Sequence, residues 1–187
     1  MKHSFQTCFE TDFFTLEKKV SETDRPYYRY NSNSSSISIV LDTDDNLIFV
    51  RQYRENLETH TVEFPAGGIE PGETPMEAIV REVYEEAGLK IMAKYLGEGY
   101  LLMDRCKNPD HLFFGYELPH SNNAQNTLFK SEFPVVKVPR LDFAARLANG
   151  DFKQLAALSI IALIDYSFDV RFLADPYSSL LEKGLLT

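Results

Sequence analysis

Six glutamates and one arginine lie within residues 67–89, the stretch of this sequence whose residues are the best candidates for chemistry. Glu82 and Glu86 are one helical turn apart, at the edge of the apolar stripe of a predicted helix. Adjacent carboxylates at a half-buried edge repel each other and lose hydration, so they take up protons or hold a cation. Oxygen donors alone suit a hard divalent ion such as Mg2+ or Mn2+. A solvated acidic face explains Glu77 and Glu85 more simply, whereas for Glu82 with Glu86 we favour a metal site.

The helix itself is predicted from its end signals. Thr74 is a suitable N-cap, Pro75 occupies the first helical position, and Glu77 completes a capping box. Gly88 is the matching stop signal, so the helix is expected to run for about three turns. The apolar positions predicted to form its buried stripe are Met76, Ile79, Val80, Val83 and Ala87.

The same stretch resembles a complete Nudix box, with no departure at any defining position. The matching positions are Gly67, Glu73, Arg81, Glu82, Val83, Glu85, Glu86, Gly88 and Leu89. The resemblance implies a hydrolase that cleaves the diphosphate of a nucleoside diphosphate linked to another group, with Mg2+ or Mn2+ as cofactor. It implies a divalent metal held mainly by Glu82 and Glu86, with assistance from Glu85 and the backbone carbonyl of Ala66. It also implies that Arg81 orients a carboxylate, that Glu73 supports the loop, and that Arg81, Glu85 and Glu86 are catalytic.

Residues 50–54, VRQYR, are the first candidates for substrate binding. Alternation along a strand places Arg51 and Tyr53 on one face and Gln52 and Arg54 on the other, so the two arginines need not share a role. Either could be a solvated edge charge. The stretch resembles the ADP-ribose and sugar-nucleotide branch of the Nudix family, which implies that Arg54, and less strongly Arg51, binds substrate phosphate; an arginine's planar fork of donors suits that task.

Aromatic, β-favouring runs at 13–17 and 27–30 predict an N-terminal hairpin. Strand packing explains these aromatic residues most simply, but Tyr28 or a neighbouring tyrosine is also a candidate to stack on a nucleobase. Family members that act on ADP-ribose often carry such an extension, which pairs with a second subunit. The resemblance therefore implies a homodimer.

The loop at 103–110 departs from the ADP-ribose hydrolase pattern, which places a catalytic glutamate there. This chain offers Asp104 and Asp110 instead, and either could equally be a turn former.

The favoured reaction is hydrolysis of ADP-ribose to AMP and ribose 5-phosphate. GDP-mannose, NADH and dinucleoside polyphosphates remain alternative substrates, and a non-catalytic nucleotide-sugar-binding module is a third hypothesis.

Composition bounds the remaining possibilities. The chain has 187 residues, 44% of them hydrophobic, which suits one well-packed domain. A net charge of −9 argues against a general nucleic-acid or anionic-membrane binder. It is no obstacle to a small nucleoside-diphosphate substrate, because local arginines and a bound metal set the potential inside a cleft. Cys8 and Cys106 are in no metal-ligand spacing and are interpreted as reduced thiols. No secretory signal or membrane span is recognised, so a cytoplasmic protein is expected.

The predicted fold class is α/β, a Nudix-type sandwich with a mixed β-sheet between helices. Residues 1–34 are expected to form the N-terminal β extension, 35–168 the Nudix hydrolase domain, and 169–187 a tail without a recognisable motif. Strands are predicted at 36–41, 47–53, 61–64, 91–102, 111–118 and 134–138, short helices at 141–148 and 155–164, and a loop at 120–129.

Overall fold

The structure is a computed structural model that describes residues 4–20, 25–100, 102–119, 131–154 and 156–186. The helices within these residues are α1 (Pro75–Ala87), α2 (Phe143–Ala148), α3 (Ala156–Phe168) and α4 (Tyr177–Glu182). The strands are β1 (Gln6–Glu10), β2 (Phe14–Val20), β3 (Pro26–Ser32), β4 (Ser35–Leu41), β5 (Asn46–Arg54), β6 (Thr59–Glu63), β7 (Ala66–Gly68), β8 (Ile91–Gly99), β9 (Asp110–Glu117) and β10 (Val135–Pro139). The loop predicted at 120–129 lies outside the described residues.

A mixed seven-stranded sheet forms the framework, in the order β10-β5-β4-β9-β8, with β6 on β5 and β7 on β4. Only the β4–β9 pair is parallel, and the other ladders of this sheet are antiparallel. Helix α1 covers one face, where Val40, Val50 and Phe113 are fully buried with Ile79 and Val83. Helices α2, α3 and α4 supply buried residues to the cluster on the other face. The α/β sandwich with a mixed sheet is confirmed.

Helix α1 has the predicted ends. The Thr74 side chain accepts a hydrogen bond from the backbone N–H of Glu77, whose carboxylate accepts in return from the Thr74 N–H. Gly88 closes the helix with a left-handed φ of 74°. The predicted buried stripe was wrong at Met76 and Val80, which are each 38% exposed because the sheet covers a narrower arc of the helix.

The N-terminal hairpin is present and has a third strand that the sequence analysis missed. Strands β1, β2 and β3 form a separate antiparallel sheet in which no described residue is buried. Backbone hydrogen bonds join Tyr30 of β3 to Arg105 and Lys107, so the loop before β9 is attached to this small sheet.

The chain beyond residue 168 contributes to the main core, although it carries no motif. Phe172, Leu180 and Leu185 are fully buried in the cluster with α3 and β9. The guanidinium of Arg140 is also fully buried, where it donates to the Asp45 carboxylate and to the carbonyls of Phe172 and Asp175. Within the described residues no helix is both long and apolar enough to cross a bilayer.

Candidate active site

Glu86 is the most buried carboxylate of α1, with 5% of its surface exposed. One of its oxygens accepts the backbone N–H of Ala66 at 3.0 Å, and the other accepts the side-chain amide of Gln52 at 2.8 Å. Both donors are neutral, and no described cation forms an ion pair with this carboxylate, although Arg54 has a weaker favourable electrostatic interaction with it. Burial therefore raises the pKa of Glu86 from 4.5 to about 7.

Glu82, one turn earlier, lies directly over the backbone of Gly67. Its side chain is 14% exposed, and burial raises its pKa. A Cβ atom built on Gly67 would come within 2.0 Å of the Glu82 carboxyl carbon. The glycine is therefore required for close approach between the loop and this carboxylate rather than for a left-handed backbone.

Arg81 connects the helix to the glycine-rich loop. It donates to both oxygens of Glu73 at 2.9 Å, to Glu82 at 2.7 Å, to Glu85 at 3.2 Å and to the carbonyl of Gly68 at 3.0 Å. These contacts, above all those with Glu73, raise the pKa of Arg81 and keep it charged. The expected roles of Arg81 in orienting a carboxylate and of Glu73 in supporting the loop stay predictions.

Glu82, Glu85 and Glu86 form what we call the carboxylate cluster. Their donor chemistry fits a divalent metal, because two of the three carboxylates are largely buried and lack full charge compensation. Among the described side chains, no group of three or more His, Cys, Asp or Glu residues is arranged to hold a metal ion. Arg81 holds Glu82 and Glu85, while Glu86 is turned to Ala66 and Gln52. The role of the carboxylate cluster and the Ala66 carbonyl as metal ligands stays a prediction.

The two arginines of residues 50–54 have different environments, as strand alternation predicts. Arg51 is exposed, whereas Arg54 lies on the same face as Gln52 and forms a bidentate ion pair with Glu63. The hydrogen bonds that Arg54 donates to Glu63 raise the pKa of Arg54, and Glu86 adds a favourable electrostatic contribution. Of these two arginines, Arg54 is therefore the one with an electrostatic interaction with the carboxylate cluster.

The remaining predicted residues, Tyr28, Asp104 and Asp110, have their contacts with residues outside the carboxylate cluster. Tyr28 is 44% exposed on β3, with the Lys18 ammonium 5.9 Å from its ring centroid. Asp104 is in an exposed turn and pairs with Arg105 at 3.2 Å. Asp110 begins β9 and accepts the Ser35 hydroxyl at 2.6 Å. Their substrate-binding and catalytic roles stay predictions.

Sequence reasoning missed two polar residues that support the site, Gln52 and Glu63. Alternation placed Gln52 beside Arg54, but its partner Glu86 is 34 residues away along the chain. From the sequence, Glu63 is indistinguishable from an ordinary charge at a strand end. Its contact with Arg54 arises only because β6 pairs with β5. The available signal was two polar side chains on the face of β5 that continues from the buried Ile48 and Val50.

The chain is similar to known proteins in sequence and in fold. The NUDIX domain model matches residues 33–158. RNA pyrophosphohydrolase from Helicobacter pylori (strain P12) is 34% identical over 84 residues, which cover 38% of this chain and 53% of that protein. RNA pyrophosphohydrolase from Aeromonas hydrophila subsp. hydrophila is 38% identical over 52 residues, covering 28% and 27%. The chain thus spans about half the length, or less, of these curated relatives.

A solved structure described as ADP compounds hydrolase superposes with a TM-score of 0.67 and covers 90% of this chain and 95% of its own. The sequence identity is 22%, so this likeness shows the fold. The glycine-rich loop, the capped helix and the carboxylate cluster all lie within the residues that the domain model matches.

Proposed function

Because this chain belongs to the Nudix family of hydrolases, we propose that it cleaves the diphosphate of a nucleoside diphosphate joined to another group, with ADP-ribose as the favoured substrate. The observation that carries this proposal is the buried carboxylate pair: Glu86 is 5% exposed with only neutral donors, and Glu82 lies against Gly67. Such a pair is costly to maintain unless a cation compensates it. The products would be AMP and ribose 5-phosphate.

Each residue of the site has a proposed role. Glu82 and Glu86 would hold Mg2+ or Mn2+, together with Glu85 and the Ala66 carbonyl. When bound, the metal neutralises phosphate oxygens and lowers the pKa of a coordinated water. Arg81 keeps the Glu82 carboxylate directed at the loop, since it donates to Glu82 and to the Gly68 carbonyl together.

Arg54 is proposed to hold one phosphate of the substrate. It is 42% exposed, so part of its guanidinium is accessible to a ligand.

In the reaction, water forms a new bond to one phosphorus, its proton passes to a base, and the bridging oxygen leaves with the other phosphate. Fixing one phosphate keeps the attacking oxygen, phosphorus and leaving oxygen in line.

We propose Asp110 rather than Asp104 as the base. Ser35, which binds Asp110, is paired on its other side with Gly68, so Asp110 belongs to the part of the sheet that supports the glycine-rich loop. Asp104 is 70% exposed in a turn and bonds only to its neighbour Arg105 among the described residues. We expect Asp110→Asn to reduce kcat by about a hundredfold or more without loss of folding, as for removal of a general base. Asp104→Asn should leave kcat unchanged, and the reverse ranking would assign the role to Asp104.

A homodimer is proposed from the small sheet. A three-stranded sheet needs a covered apolar face to be stable, yet β1–β3 contains no buried residue among those described. Phe9, Tyr28 and Tyr30 share one face of this sheet with Leu16 and are 54%, 44% and 40% exposed. A second subunit that covers these side chains would stabilise the sheet, and Tyr28 would then be placed to stack on a nucleobase at that interface.

A second candidate activity is pyrophosphohydrolysis of RNA, because the curated relatives described above are named RNA pyrophosphohydrolase. The net charge of −9 disfavours contact with an extended RNA backbone, which releases counterions only to a basic surface. RNA is therefore ranked below the small nucleotides.

The function is tested by phosphate release, coupled to a phosphatase, from a panel of ADP-ribose, GDP-mannose, NADH, dinucleoside polyphosphates and 5′-triphosphorylated RNA. We expect ADP-ribose to give the highest kcat/KM with Mg2+ or Mn2+ and no turnover in EDTA. Preferred cleavage of another compound would change the substrate and keep the reaction class. A folded protein that cleaves none of them but binds ADP-ribose would instead be a binding module.

A further inference from the structure

The Arg54 guanidinium is fixed on one edge by Glu63. Its Nε donates to Glu63 Oε1 at 2.8 Å and its Nη2 donates to Oε2 at 2.6 Å, which is the bidentate arrangement of an arginine and a carboxylate. Arginine carries five N–H donors, and this guanidinium makes no further hydrogen bond to a described residue. The opposite edge of the fork is therefore available to a ligand.

Glu63 is itself held in place. Its side chain is 15% exposed on β6, and its Oε1 also accepts the hydroxyl of Thr61. Hydrogen bonds from Arg54 lower the pKa of Glu63, so the carboxylate is charged at neutral pH. A half-buried, charged and doubly anchored acceptor restricts the guanidinium to one orientation.

The alternative partner for Arg54 is Glu86. Gln52, two residues earlier on the same strand face, donates to Glu86, and Arg54 has a favourable electrostatic interaction with that carboxylate. Without Glu63, the long Arg54 side chain would be attracted to the carboxylate cluster. It would then compete with a metal for the negative charge of Glu86. Glu63 thus acts in two ways: it orders Arg54, and it keeps Arg54 apart from Glu86.

We propose that Glu63 is a positioning residue that presents the free edge of Arg54 to one phosphate of the substrate. This inference rests on the proposed function, since it assumes that Arg54 binds phosphate. A fork ordered before binding loses less side-chain entropy when the phosphate arrives. The role of Glu63 is carried out entirely through Arg54, because its carboxylate oxygens are engaged by Arg54 and Thr61.

The test uses Glu63→Gln, which keeps the shape but places an amide NH2 group against one guanidinium donor. We expect KM for ADP-ribose to rise about tenfold with kcat changed much less, because a charge-assisted hydrogen bond contributes an amount of this order to binding. Binding of ADP-ribose measured calorimetrically in EDTA, where no turnover occurs, should weaken by a similar factor. Asp175→Asn, which breaks the Arg171–Asp175 pair near the opposite end of β5, is the control and should change neither value.

A double-mutant cycle with Arg54→Lys separates positioning from general stabilisation. If Glu63 acts through Arg54, Glu63→Gln should add little to the effect of Arg54→Lys, whereas additive effects overturn the inference. An unchanged KM and binding constant in folded Glu63→Gln also overturn it. Loss of all turnover and binding in the wild type refutes both the proposed function and this inference, while a wild type that works normally beside an unaffected Glu63→Gln refutes this inference alone.

Discussion

Glu86→Gln is expected to abolish turnover and at the same time to stabilise the metal-free protein at pH 8. The loss of activity should be at least about a thousandfold, which corresponds to about 4 kcal/mol of transition-state stabilisation from a metal-binding carboxylate. Affinity for Mn2+ should fall by more than about a hundredfold, since even outer-shell changes at metal sites cost about 10–100-fold.

The stability gain follows from the environment of Glu86. A glutamine can still accept the Ala66 N–H, and the Gln52 amide can rotate to present its oxygen, so both hydrogen bonds survive. What disappears is the buried negative charge. In the folded protein the pKa of Glu86 is about 7, against an ordinary 4.5, so wild-type stability falls as pH rises through this interval. The difference should be near zero at pH 4.5 and reach up to about 3 kcal/mol above pH 7.

Urea unfolding in EDTA at pH 5 and pH 8 measures this difference, and a Mn2+ titration measures the affinity. Glu182→Gln, at an exposed glutamate of α4, is the control and should alter neither stability nor activity. A stability difference that does not depend on pH would contradict the raised pKa of Glu86. Unchanged Mn2+ binding in both Glu86→Gln and Glu82→Gln would rule out the metal site.

The sequence predicted best those features that are encoded locally. Helix α1 depends on Thr74, Glu77 and Gly88, whose capping contacts lie within a few residues of each other. The position of Glu82 and Glu86 at the edge of the buried stripe followed from helical periodicity alone. The exposed Met76 and Val80 did not, because periodicity gives the direction of an apolar face and not the width of the sheet that covers it.

Features that depend on distant pairing could not be predicted. Gln52 acquires its role only when β5 is placed beside the C-terminal half of α1, and Glu63 only when β6 pairs with β5. Phe172 and Leu180 likewise join a core that includes residues distant in the sequence, and Arg140 donates to the carbonyls of Phe172 and Asp175. Neither propensity nor spacing encodes such contacts. The partners of Gln52 and Arg140 are more than 30 residues away, and Glu63, only 9 residues from Arg54, meets it through the pairing of two separate strands.

Gly67→Ala is expected to remove most of the activity with little loss of stability. The added Cβ would lie 2.0 Å from the Glu82 carboxyl carbon, and the nearest atoms all belong to the far end of that flexible side chain. Gly67 does not have a left-handed φ, so alanine suits its backbone. Glu82 can therefore move aside at low cost to folding, but its carboxylate leaves the loop and its contact with Arg81.

A displacement of about 1 Å at a reacting centre can cost about a hundredfold in rate, and the shift required here is of that size or greater. We therefore expect kcat for ADP-ribose to fall about a hundredfold or more, and the midpoint of thermal unfolding to change by only a few degrees. Gly68→Ala is a closely matched control, since a Cβ at Gly68 meets no atom within 4 Å. It should retain wild-type kcat. If Gly67→Ala instead lost folding and activity together, the glycine would be needed for a tight turn and the close approach of Glu82 would have no separate role in catalysis.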